Sequence, residues 1–121
     1  MKYINIKQVD AFTKSPFCGN PAGVVTDASS LDNDTMQKIA REMNLSETAF
    51  VSPSEVADFK VQFFTPKFEV DLCGHATIGA FYALYEEKKL DLSKNTFYQE
   101  TKAGILPIEL TNINDEKVFM M

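Results

Sequence analysis

The sequence predicts an α+β fold in which one buried helix is enclosed by a sheet, and two observations carry that expectation. Residues 76–85 (ATIGAFYALY) hold no polar side chain beyond Thr77 and two tyrosine hydroxyls, and Ile78, Phe81, Tyr82 and Tyr85 fall at the spacing of one helix face. Ala76, Gly79, Ala80 and Ala83 form a second face of small side chains that lets a neighbouring element approach closely. A helix apolar all round must be buried. Its dozen or so positions extend less than roughly 20 Å, too short to span a bilayer. The second observation is that short runs rich in β-branched and aromatic residues flank this helix on both sides.

In chain order, Tyr3–Phe12 (YINIKQVDAF) reads as a first strand, followed by a loop from Ser15 to Pro21 punctuated by Pro16, Gly19 and Pro21. Ala22–Thr26 is a short apolar strand. Asp32 is an expected N-cap for a helix over Asn33–Met43, with Met36, Ile39, Ala40 and Met43 on one face. Leu45–Val51 and Phe59–Thr65 are further strands, the second broken by Pro66. The central helix opens on the turn Asp71, Cys73, Gly74, His75 and closes on Glu86, Glu87, Lys88, Lys89, whose lysines suit the negative end of the helix dipole. Asn95–Thr101 and Ile105–Leu110 form a hairpin about Lys102-Ala103-Gly104. Val118–Met121 (VFMM) begins another apolar run at which the chain stops. That is either a short last strand or a sign that the chain is part of something longer or leans on a partner.

At 121 residues, 45% hydrophobic and 24% charged, the chain is expected to form one domain. Ten phenylalanines and no tryptophan promise an aromatic core, into which the four tyrosines and Phe63-Phe64 are expected to fall. A net charge of −5 without any basic run argues against nucleic-acid partners. The absence of a signal-like leader or a long apolar run makes cytoplasmic the expected location and excludes a membrane partner. Two cysteines, Cys18 and Cys73, outside any metal-ligand spacing, and a single histidine argue against a disulfide scaffold and a metal site.

Few residues can carry chemistry. If the third strand includes it, Glu47 shares a face with Leu45, Ala49 and Val51, and a carboxylate in that apolar company can hold and release a proton near neutral pH. If the strand starts at Thr48, Glu47 is a solvated loop residue. His75, in the first turn of the buried helix, either orients or protonates a substrate or is a core histidine bonded to backbone. Cys73 reads as a small buried hydrophobe more than as an activated thiolate, and Cys18 more firmly so. Asp71 caps the helix or lines its approach. Asn20 can offer an amide to a ligand or simply occupy a turn. The helix N-terminus, carrying Cys73, Gly74 and His75, suits a carboxylate or a developing anion.

Five stretches taken together, DAFT (10–13), FCGNPA (17–22), SETAF (46–50), FTP (64–66) and LCGHAT (72–77), resemble the phenazine-biosynthesis PhzF-like isomerases of the diaminopimelate-epimerase-like fold. The motifs occur in that family's order, and the resemblance runs from about residue 5 to the end. It implies a mixed, mostly antiparallel sheet curled around the central helix, and proton transfer on a small carboxylate-bearing (anionic) substrate without a cofactor. It makes Glu47 the catalytic acid/base, and places Asn20, Gly74 and His75 around the substrate. Cys73 falls where epimerase relatives keep one of two catalytic cysteines, and here it is expected only to line the site. Members of that family are about twice this length, with two similar lobes and the active site between them. The chain is therefore expected to equal the N-terminal lobe, truncated, with half an active site. Three arrangements follow: a half-enzyme awaiting a second lobe, a homodimer in which one lobe serves as both, or a non-catalytic small-molecule-binding or interaction module.

Overall fold

A computed structural model describes residues 4–11 and 20–121. Among them are eight strands and two helices, in the order β1 (Lys7–Ala11), β2 (Asn20–Val25), α1 (Asn33–Met43), β3 (Glu47–Ser52), β4 (Phe59–Phe64), β5 (Glu69–Val70), α2 (Gly74–Glu86), β6 (Thr96–Thr101), β7 (Gly104–Ile113) and β8 (Glu116–Met120). Most of the Ser15–Pro21 loop, with Cys18 and Tyr3, lies outside the described residues.

One mixed sheet takes every strand, in the order β1-β2-β3-β4-β6-β7-β8, with short β5 added beside β4. Its pairings are antiparallel except for two, β2 with β3 and β4 with β6. Each parallel pair needs a crossover long enough to carry a helix. α1 lies in the first crossover and α2 in the second. The α+β expectation of a mostly antiparallel sheet curled around a buried helix therefore holds.

α2 is the axis of the lobe. Ala76, Thr77, Ile78, Gly79, Ala80, Phe81, Ala83 and Leu84 are all buried. The helix packs against β1, β2 and β3 on one side and β8 on the other. Its small-residue face does what the sequence suggests: a side chain at Gly79 would lie 3.5 Å from Val9 Cβ and 3.9 Å from Ala22 Cβ, so α2 rests directly on β1 and β2. Its large face builds an aromatic cluster. Phe81 lies 6.1 Å from Phe59, 6.2 Å from Phe97 and 6.0 Å from Phe119, ring centre to ring centre, within the range of favourable aromatic pairs.

The sheet's other side carries a second, smaller core. α1 starts where Asp32 accepts the Thr35 N–H at 2.8 Å and ends at Asn44, whose left-handed backbone (φ 53°) is one that Asn tolerates. It presses Met36 and Ala40 onto Val25, Phe50 and Phe64. Because β3 and β4 are covered on both faces, Thr48, Ala49, Phe50 and Val51 are all buried in a row. Phe63 and Phe64 divide between the two cores, Phe63 toward α2 and Phe64 toward α1.

Several sequence expectations need correction. Tyr98 is 47% exposed, because it alternates outward on β6 while Phe97 and Gln99 turn in. Asp71 is exposed and does not cap α2; Cys73 holds the N-cap position. Lys88 and Lys89 lie beyond the last turn of α2, where they close it by backbone geometry. The Lys88 N–H reaches Tyr85 C=O at 3.0 Å and the Lys89 N–H reaches Leu84 C=O at 2.9 Å, with Lys88 left-handed (φ 59°), a Schellman ending. The hairpin from β7 to β8, turning on Asn114 and Asp115 with φ of 51° and 65°, was not read from the sequence.

Asp58 fastens β4 to β6 at their parallel junction. Its carboxylate accepts the Tyr98 N–H at 2.7 Å and pairs with Lys94, while its own N–H donates to Tyr98 C=O at 3.0 Å. Partial burial resists ionisation, but the Lys94 ammonium and the Tyr98 N–H outweigh it and hold the Asp58 carboxyl below its ordinary range. A carboxyl lowered on folding stabilises the fold above its unfolded pKa, and that contribution fades as pH falls through the folded value. Asp58→Asn is therefore expected to cost about 1–3 kcal/mol at neutral pH. In urea melts across pH, the difference from the parent should shrink steadily below about pH 4.

Candidate active site at the amino end of the central helix

The site is built where β2, β3 and α2 meet. Glu47 is the first residue of β3, so the reading that left it in a loop does not hold. It pairs in register with Ala22 of β2, while Ala49 and Val51, on its own face of the strand, join the core around α2. That alternation turns Glu47 toward the helix, and there it meets His75. Glu47 Oε2 lies 2.8 Å from His75 Nε2, both side chains being about four-fifths buried (21% and 17% exposed). The distance is that of an ion pair, yet the donor direction of the ring is poor, and buried Oε2 accepts no well-aligned hydrogen bond from a described residue. Close approach without alignment describes the pair better than either measure taken alone, since an ion pair asks only for proximity and a hydrogen bond also for angle.

Cys73 completes the cluster. Its Sγ lies 3.4 Å from His75 Nδ1 and 3.8 Å from Nε2. Burial pushes the Cys73 thiol up and the Glu47 charge adds to the push, against the pull of the Ala76 and His75 amides. A thiol so raised is not an activated nucleophile.

The turn that carries these residues is held from behind. The first hydrogen bond of α2 runs from the Thr77 N–H to Cys73 C=O at 2.9 Å, and the Thr77 hydroxyl donates to the same carbonyl at 2.9 Å. Gln99, fully buried on β6, reaches the Thr77 hydroxyl with its amide nitrogen at 3.4 Å. Sequence reading missed Thr77 and Gln99. A lone Thr in an apolar helix was the available signal; Gln99 had none, because only the sheet order brings β6 under the helix.

Gly74 opens the site. Among the described residues, a side chain built there would meet only Met121 Sδ, at an ordinary 3.7 Å. The amides of Gly74, His75 and Ala76 precede the helix ladder and face the positive end of the dipole, an arrangement suited to a carboxylate. Asn20 opens β2 two residues before Ala22, the partner of Glu47, and its side chain lies outside the described residues. The structure thus brings Glu47, Cys73, Gly74 and His75 together. A concavity of about 610 Å³ between Tyr85, Leu90 and Leu92 lies at the opposite end of α2, away from these groups.

A mixed sheet wrapped on one helix, with a carboxylate and an imidazole at the helix's amino end, has the fold of a lobe of the epimerase-like class. Comparison with known proteins agrees. A family profile described as phenazine biosynthesis-like protein (PhzC-PhzF) matches residues 9–121, and the chain belongs to that family. It is 51% identical over 97% of its length to an uncharacterized isomerase of Clostridium acetobutylicum, covering 39% of that protein, and 44% identical over 92% of its length to the uncharacterized isomerase YddE of Escherichia coli, covering 37%. Among solved structures, a PhzF-family protein of Bacillus anthracis superposes with a TM-score of 0.88 at 50% identity, over 95% of this chain and 38% of that one. A hydroxyproline epimerase of Agrobacterium vitis, at 12% identity and a TM-score of 0.67, shares the fold, over 93% of this chain and 38% of that one. The chain thus spans about two-fifths of the length of these relatives.

Gly23 sits against the strand that presents Glu47. A side chain there would lie 3.1 Å from both Cγ2 and Oγ1 of buried Thr48, the residue after Glu47, so Thr48 would have to shift by a few tenths of an ångström. Gly23→Ala is expected to cost about 1–3 kcal/mol in a denaturant melt. It should also perturb the NMR signals of Glu47 and His75, while a substitution at exposed Lys38 leaves them in place.

Proposed function

We propose that this chain carries the acid/base lobe of a cofactor-independent isomerase that moves a proton on a small carboxylate-bearing substrate. The observation that supports the reading most is the 2.8 Å approach of Glu47 to His75 at the amino end of α2. In this reading the substrate carboxylate rests against the amides of Gly74 and His75. The Glu47 carboxylate removes a proton from a carbon of the substrate, the electron pair left behind spreads into the adjacent unsaturated group, and Glu47–H returns the proton at another position. His75 steadies the charge on Glu47 as it comes and goes, Cys73 lines the wall, and Asn20 contributes from the start of β2.

The chain's share of its relatives' length supports a further step: it corresponds to the N-terminal lobe, and the facing wall comes from a second lobe or from a second copy of the chain. A cytoplasmic location fits such chemistry, and no helix among the described residues is long and apolar enough to cross a membrane.

Solvent-deuterium incorporation into a panel of small amino and unsaturated carboxylic acids, followed by NMR, tests the reading on the chain alone and with a relative's second lobe supplied. Exchange is expected to fall about 10²–10⁴-fold in Glu47→Gln. Gly74→Ala should give the opposite signs for fold and function, raising stability by about 0.4–1 kcal/mol while weakening exchange by filling the carboxylate site. Exchange indifferent to Glu47→Gln would place the base elsewhere. Carboxylate-induced shifts at the Gly74–Ala76 amides with no exchange in either assembly would instead mark a binding module.

A further inference from the structure

The three side chains at the amino end of α2 also form a ligand set for a soft divalent metal. One donor atom from each of Glu47, Cys73 and His75 lies within 4.8 Å of the other two. Carboxylate oxygen, thiolate sulfur and imidazole nitrogen together favour zinc over magnesium or calcium, which prefer oxygen alone. With Zn–S near 2.3 Å and Zn–N and Zn–O near 2.0–2.2 Å, a tetrahedral ion holds its sulfur and nitrogen ligands about 3.5 Å apart and its nitrogen and oxygen ligands about 3.3 Å apart. Here Sγ lies 3.8 Å and Oε2 2.8 Å from His75 Nε2, so small side-chain rotations bring the set to those separations.

A second observation points the same way: among the described residues Glu47 Oε2 is buried and accepts no aligned hydrogen bond, its near neighbour being His75 Nε2 at 2.8 Å. One carboxylate and one thiolate also neutralise a divalent ion, which a half-buried site requires. No sequence spacing discloses this set, because Glu47 arrives from β3 and the other two from the start of α2. It also reverses the expectation, drawn from a single histidine and unspaced cysteines, that the chain holds no metal site.

We propose that Glu47, Cys73 and His75 bind Zn²⁺ reversibly through three protein ligands, with the fourth position open to water, and that this occupancy blocks the site. Binding replaces the Cys73 S–H proton, which leaves to solvent, by an S–Zn bond. The binding stands apart from the proton-transfer reading; its consequence, a silenced Glu47, rests on that reading.

Titration of the full chain with Co²⁺ tests it, because a thiolate bound to cobalt gives a near-ultraviolet charge-transfer band. One equivalent per chain is expected, with the band displaced by Zn²⁺, kept in Cys18→Ser and lost in Cys73→Ser. Zn²⁺ affinity should fall at least about tenfold in His75→Ala, circular dichroism confirming that each variant is folded. No band in the parent, or a band that survives Cys73→Ser, overturns the proposal and leaves the deuterium-exchange test of Glu47 untouched. A band together with normal exchange in excess Zn²⁺ retains the metal and rejects the block.

Discussion

Everything in this lobe follows from the need to hide a helix that has no polar side. From Ala76 to Leu84, α2 offers water only the Thr77 and Tyr82 hydroxyls, so the sheet must supply apolar cover around the helix rather than beneath it. A flat sheet covers one face only, whereas this one brings β1, β2 and β3 against one side of α2 and β8 against another. The helix's two faces divide the work. Small residues let β1 and β2 come close, and Phe81, with Phe59, Phe97 and Phe119 around it, fills the wider space toward β4, β6 and β8. Once α2 is enclosed, its backbone polarity can be felt only at its ends. The amino end is the one that attracts anions, and it is where the chemistry-bearing side chains collect.

The carboxyl end is treated in the opposite way. It is tied down, with Glu87 accepting from Thr26 of the β2 end at 2.9 Å and pairing with Lys7 of β1 at 3.3 Å. Partial burial opposes the charge on Glu87, but Thr26 and Lys7 more than offset it and keep its carboxyl below the ordinary range. One end of the helix is therefore locked to the sheet by side chains, while at the other, among the described residues, Thr77 and Gln99 hold the first turn from behind and Glu47 approaches His75. That asymmetry separates the part of the helix that stabilises the lobe from the part free to meet a ligand.

How much of this was legible depended on whether the cause was local. The N-cap at Asp32 and the bounds of α1 could be read because capping and helical periodicity act within a few residues. The burial of α2 was equally plain from its composition. Glu47 was ambiguous from alternation alone, since whether β3 includes it is decided by its pairing with Ala22 across the sheet, and it took the motif series to favour the strand reading. Tyr98 misled because hydrophobicity says nothing about which side of β6 faces out. The turn at Asn114-Asp115 lacks the glycine that usually announces such hairpins, and two polar residues adopt the left-handed backbone instead. Gln99 was beyond reach, because its role depends on β6 lying in the sheet where its amide meets Thr77.

The same distinction explains why the candidate site reads so differently in sequence and in space. In sequence it is a glutamate, and far downstream a cysteine, a glycine and a histidine, none with a diagnostic spacing. In space the parallel pairing of β2 with β3 and the insertion of α2 place a carboxylate, a thiol and an imidazole around one point. Each neighbour changes what the others can do. Burial, with the Glu47 charge adding to it, works against ionisation of Cys73, and on the proposed reading that leaves the carboxylate as the group to carry the proton. The imidazole stands close enough to Glu47 to answer its charge without fixing it in one aligned hydrogen bond. A carboxylate locked into a strong, linear bond would be a poor base, because breaking that bond would add to the barrier of every transfer. On the proposed reading of Glu47 as the acid/base, proximity without alignment is what the transfer requires.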